Sequence, residues 1–170
     1  MRVVSPLELP PPKMEEREIA ENEQALAVFA NGELTEETFA AHPPLGRILE
    51  QLRDTGILYY DWNRLKCVIL FKVKAALHMY DTTGPSSEEE IDRVELFETI
   101  TARATPPFTL QRLIEVVVAP KAYYRLSSKF LNAVHKFFEV SSLADVDDPR
   151  APRLAVAQRK LPTSIRQFID

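Results

Sequence analysis

Residues 105–142 read TPPFTLQRLIEVVVAPKAYYRLSSKFLNAVHKFFEVSS. Leu110, Leu113, Ile114 and Val117 recur at helical spacing between Thr109 and Pro120. An amphipathic helix is therefore expected, capped by Thr105 or Thr109 and ended before the proline. Ser127 or Ser128 opens a second helix with Phe130, Leu131, Val134, Phe137 and Phe138 inward. The connection between them holds Tyr123 and Tyr124 and no glycine. Two helices of this kind point to an α-helical fold and leave three uses for the pair: a DNA-reading helix-turn-helix, two plain core helices, or one face of a docking module.

Working outward, the prolines act as punctuation. They stand at 6, 10–12, 43, 44, 85, 106, 107, 120, 149, 152 and 162, with long proline-free windows between, as expected of residues that helix interiors expel and first turns accept. Pro43 and Pro44 open a helix in which Leu45, Ile48, Leu49 and Leu52 recur at i, i+3, i+4 and i+7, and Gly56 closes it. Asp61 precedes a longer helix with Trp62, Leu65, Ile69, Val73, Ala76 and Tyr80 on one face. The β-branched and aromatic run CVILF leaves a strand in its middle as the minor alternative. Ser87 with Glu90 fits a capping box ahead of Ile91, Val94, Phe97 and Ile100. Upstream, EEREIAENEQALAVFANG carries Ile19, Ala25, Leu26, Phe29 and Ala30 on one side and stops at Asn31 and Gly32.

These segments add up to an all-α irregular bundle of about six helices with no substantial sheet. Residues 1–14, with a triple proline, read as an extended or disordered arm, and residues 15–142 as the helical domain. Residues 143–170 form a C-terminal extension with a short amphipathic end at Ile165, Phe168 and Ile169.

Charge and composition narrow the function. The 170 residues carry a net charge of −4, whereas a chain held by phosphate neutralisation normally shows a basic excess. Residues 8–41 hold nine acids against two bases, while residues 104–140 hold five bases against two acids. The second segment is thus a local basic surface on an acidic protein. No apolar run approaches the length of a membrane span, and no signal-peptide pattern is found at the start. Cys67 is the one cysteine, so no disulfide framework exists.

The motifs of catalysis and cofactor binding are missing. His42, His78 and His135 share no ligand spacing, and glycines only at 32, 46, 56 and 84 exclude a phosphate-cradling loop or a nucleophile elbow. Asp145, Asp147 and Asp148 lack the glycine and closing glutamate of a calcium loop. Cys67 has no adjacent base and reads as a small core residue. The expectation is a protein without enzymatic activity, metal or cofactor.

Surfaces remain. Aromatic and arginine side chains supply most interface energy, and here Tyr60, Arg112, Tyr123, Tyr124, Arg125 and Lys129 combine that character with helix-end or loop placement. These six are the candidate partner-binding residues, with Trp62 and one tyrosine of each pair expected in the core. A helix-turn-helix needs a turn of about three or four residues, commonly with glycine. The connection 119–127 is longer and glycine-free, which argues against DNA reading.

Two blocks carry a resemblance. Pro107, Phe108, Thr109, Leu110, Gln111, Arg112 and Leu113 form a PFT-[IL]-QRL start. Pro120, the tyrosine at 123 or 124, Lys129, Phe130, Leu131, Val140 and Ser141 follow in order. Upstream, Thr55, Gly56, Trp62, Leu70, Phe71, Lys72 and Val73 supply a TG turn, a tryptophan and an [IL]-F-K-[LV] run. Over roughly residues 42–142 the chain resembles the protein phosphatase 4 regulatory subunit 2 family. The resemblance implies a non-catalytic regulatory or scaffold subunit. It would bind the catalytic subunit of protein phosphatase 4, a metal-dependent serine/threonine phosphatase, commonly together with regulatory subunit 3. It further implies a place in the nucleus and cytoplasm, with centrosome function and the DNA damage response among the processes served. The long acidic tail of animal members does not occur in these 170 residues. The alternatives are a helical nucleic-acid or chromatin-binding module using Arg112 to Lys136, and a helical adaptor unrelated to phosphatases.

Overall fold

The helix that organises the molecule is also the longest among the described residues. In the computed structural model, which describes residues 14–81, 84–139 and the backbone of 153–154, the helices in chain order are α1 Glu16–Asn31, α2 Glu36–Ala40, α3 Pro43–Thr55, α4 Trp62–Tyr80, α5 Ser87–Ala102, α6 Leu110–Val118, α7 Pro120–Tyr123 and α8 Ser127–Glu139. α4 buries Leu65, Val68, Ile69, Phe71, Val73, Ala76 and Leu77, too many for one helical face. It accordingly packs against α1, α5, α6 and α8. The CVILF run is helical because its residues are covered on several sides, which overrides their modest strand preference.

The all-α expectation holds. The six helices read from the sequence correspond to α1, α3, α4, α5, α6 and α8, and two short ones join them. α2 begins with a reciprocal bond pair between Thr35 and Thr38 and is anchored by Phe39, whose ring stacks on Phe71 at 5.3 Å and meets Phe29 edge-on at 6.0 Å. α7 begins at Pro120, which was expected only to end α6; proline at the first helical position gives up no hydrogen bond. The described β structure is one two-residue parallel pairing of β1 Ile57–Leu58 with β2 Arg153–Leu154.

α3 follows its sequence closely. Leu45, Ile48, Leu49 and Leu52 are all buried, and each such side chain contributes about 1.5–3 kcal/mol of apolar transfer. Gly56 closes the helix at φ 69°, in the left-handed region. A Cβ there would lie 2.9 Å from the Gln111 amide oxygen. The Gln111 Nε2 itself donates to the Arg53 carbonyl at 2.8 Å, joining α6 to the last turn of α3.

α5 departs from its reading twice. Its cap is Ser86, not Ser87, because the Ser86 hydroxyl reaches the Glu89 amide three residues on. Its buried face is Leu96 and Ile100, with Phe97 half-buried, while Ile91 and Val94 are 61% and 50% exposed. Polar ties anchor its N-terminal half and its C-terminus as well. Arg93 donates to both Asp81 oxygens, at 3.0 and 2.8 Å, and to Glu89 at 3.3 Å. Hydrogen bonding to Arg93 holds the Asp81 carboxyl below its ordinary pKa. At the other end, Trp62 Nε1 donates to the Arg103 carbonyl at 2.9 Å, and Lys66 Nζ donates to the Thr101 and Arg103 carbonyls.

Cys67 is half-buried, with its thiol directed at the Asn63 carbonyl. The expected arm 1–14, apart from Met14, lies outside the described residues. So do the aspartates at 145, 147 and 148 and the extension 143–170, apart from the backbone of 153–154.

Candidate partner-binding site

Five of the six candidate side chains sit where α6, α7 and α8 meet, and the sixth does not. Tyr60 is a correction: it is fully buried, its hydroxyl accepting from Asn22 Nδ2 at 2.8 Å and donating to Met14 Sδ at 3.7 Å. Burial pushes that hydroxyl up to about 12. A neutral ring closed in against α1 is a core residue and presents nothing to a partner. The signal was Asn22, a polar residue in register with Leu26 and Phe29 on the buried face of α1.

The remaining five are held by backbone turns. Pro120 is buried at the start of α7, and the single helical turn that follows brings Tyr123 back against α6. There the Arg112 guanidinium carbon lies 4.4 Å from the Tyr123 ring centroid. Arg112 Nη1 also donates to Glu115 at 2.8 Å, one turn further along, and this bond raises the guanidinium pKa. Both Arg112 and Tyr123 are exposed. The arginine is oriented on two sides and keeps an outer face open.

Tyr124 faces the other way. Its carbonyl accepts from the Tyr80 hydroxyl at 2.7 Å. Tyr80 in turn packs against Phe130 at 5.9 Å, with the Lys121 ammonium 5.6 Å from its ring; burial raises the Tyr80 hydroxyl pKa. On the far side of Tyr124 an open groove of about 280 Å³ runs along α8, lined by Tyr124, Lys129, Asn132, Ala133, Lys136 and Phe137. Arg125 and Leu126 are exposed in the connection between α7 and this groove.

The groove was only half legible. Lys129, Asn132, Ala133 and Lys136 share one outer face at i, i+3, i+4 and i+7, a readable stripe. Phe137, expected inward, is half-buried and lines the groove, because Phe130, Leu131, Val134 and Phe138 already fill the inner face.

Among the described residues no group of three His, Cys, Asp or Glu side chains is placed to hold a metal ion, and no helix is long and apolar enough to cross a membrane.

The two sequence blocks touch where Gly56 lies against Gln111; elsewhere Trp62 bonds the end of α5, Phe71 joins Phe29 and Phe39, and Pro107 and Phe108 are buried ahead of α6. A family model described as PPP4R2 matches residues 40–151. The chain belongs to this family. The serine/threonine-protein phosphatase 4 regulatory subunit 2 of Homo sapiens is 30% identical over 105 residues, 55% of this chain and 25% of that protein. The Drosophila melanogaster protein of the same name is 26% identical over 113 residues, 59% of this chain and 19% of its own length. Regulatory subunit 2-A of Xenopus laevis is 26% identical over 111 residues, covering 59% and 28%. The chain thus spans only 19% to 28% of the length of these curated relatives. No solved structure matches. The family match falls on the helical domain, and the matched relatives are named regulatory subunits of serine/threonine-protein phosphatase 4.

Proposed function

We propose that the chain is a non-catalytic scaffold that binds the catalytic subunit of protein phosphatase 4, alongside regulatory subunit 3, and governs the assembly, activity or targeting of the complex. The observation that carries this reading is the α6–α7–α8 corner of a PPP4R2 family member. There an exposed arginine is fixed between a tyrosine ring and a carboxylate, with Arg125 and Lys129 exposed nearby. Arginine and tyrosine are preferred anchors, and side chains already ordered in the free protein lose less freedom on binding.

Calorimetric titration against the cognate protein phosphatase 4 catalytic subunit, with a related phosphatase catalytic subunit as control, tests it. Selective binding is expected, weakened at least about tenfold by Arg112→Ala with Tyr123→Ala at unchanged helicity. Absence of binding by folded protein overturns the reading. A nuclear and cytoplasmic distribution with a centrosomal fraction is proposed with it, and imaging of the tagged chain checks this.

A further inference from the structure

We infer that the α8 groove receives an acidic segment of the partner, with one apolar side chain of that segment seated between Tyr124 and Phe137. The inference rests on the regulatory-subunit reading and adds the chemistry of the contact. Three observations carry it.

The first is charge. The groove lining holds two ammonium groups, Lys129 and Lys136, and no carboxylate. Neither lysine forms an ion pair among the described residues, where the recorded pairs involve Arg17, Arg53, Arg93 and Arg112. On a chain of net charge −4 this is a local reversal of sign, and complementary charge selects partners and speeds encounter.

The second is the floor. Tyr124, Ala133 and Phe137 give it an apolar surface, and at about 280 Å³ it is open and slightly smaller than the about 300–1,000 Å³ of pockets that enclose small molecules. A side chain projecting from a larger partner suits it better than a free ligand.

The third is spacing. Lys129 and Lys136 stand two turns apart, roughly 10.5 Å along the helix axis. An extended chain advances about 3.3 Å per residue and alternates its side chains between two faces, so carboxylates four residues apart, about 13 Å, share the face toward the groove and reach both flexible ammonium groups, with the apolar residue midway between them on that face.

The test uses the full chain and the cognate catalytic subunit, titrated at two salt concentrations. Lys129→Glu with Lys136→Glu is expected to weaken binding at least about tenfold and to flatten its salt dependence. Ala133→Trp, which fills the groove without changing charge, is expected to weaken binding while keeping the salt slope. Circular dichroism confirms that both variants stay helical. If wild type binds and depends on Arg112 and Tyr123, but neither groove variant changes affinity, the groove assignment is overturned and the regulatory reading stands. If wild type does not bind, both fall. A dimer in sedimentation that the charge reversal dissolves reassigns the groove to a second copy and overturns the inference.

Discussion

α3 and α5 are helices of similar length with similar apolar content, yet they are held in opposite ways. In α3 the four periodic leucine and isoleucine side chains are almost wholly buried. In α5 only Leu96 and Ile100 are buried, Ile91 and Val94 face solvent, and polar ties run from Ser86 at its start, Arg93 in its middle, and Trp62 and Lys66 at its end. Hydrophobic periodicity says which residues can share a face. It does not say whether another element is present to cover that face.

The contrast is broken most directly at Leu52, which has no exposed surface. Leu52→Ala is expected to cost about 3–4 kcal/mol in urea unfolding, from lost transfer energy plus a cavity. A change below about 1 kcal/mol would mean that α3 is not held by apolar burial in the way described.

Arg93→Met tests the polar side. Removing a bidentate, largely buried partner of Asp81 is expected to cost about 2 kcal/mol at neutral pH. The Asp81 pKa is lowered in the folded state, so its contribution is complete above the unfolded carboxylate value of about 3.9 and is lost as pH falls through the folded value. Wild type and variant should therefore begin to converge in stability as pH falls below about 4 and meet once it is below the folded value. A constant gap across that range would assign the loss to packing of the arginine stem.

Gly56→Ala sharpens the account of how α3 ends. The new methyl meets the Gln111 amide in a left-handed turn, and the expected cost is about 1–2 kcal/mol. Part of it should be recovered when Gln111→Ala removes the clash, a coupling that a double-mutant cycle reads. Ile91→Ser sits at the small end: with its side chain largely in solvent, thermal melting should move by less than about 0.5 kcal/mol.

The legible parts of the fold are those where local chemistry and packing agree. The Pro43 start, the leucine stripe and the Gly56 turn each point to the same α3. α5 was misread because Ile91, Val94, Phe97 and Ile100 make as good a stripe as the true face, and the choice depends on Asp81 and on α4 and α8, which are remote in sequence or approach from outside the helix. α7 was missed because proline can end one helix or begin the next, and here it does both. At the candidate site, the placement of Arg112 against Tyr123 depends on that unforeseen turn. Tyr60 was lost to the surface by its bond to a single asparagine, 38 residues away.

The tie between Trp62 and the Arg103 carbonyl has a spectroscopic consequence. Trp62 is the sole tryptophan of the 170 residues, and its indole is buried where α4 begins and α5 ends. Intrinsic emission therefore reports the wetting of one joint, whereas far-ultraviolet ellipticity reports every helix. Recorded together through a denaturant titration, the two signals act as a local and a global clock. A red shift that precedes the loss of ellipticity would time the release of α5, the helix with the smaller buried apolar face, before the leucine-packed remainder gives way.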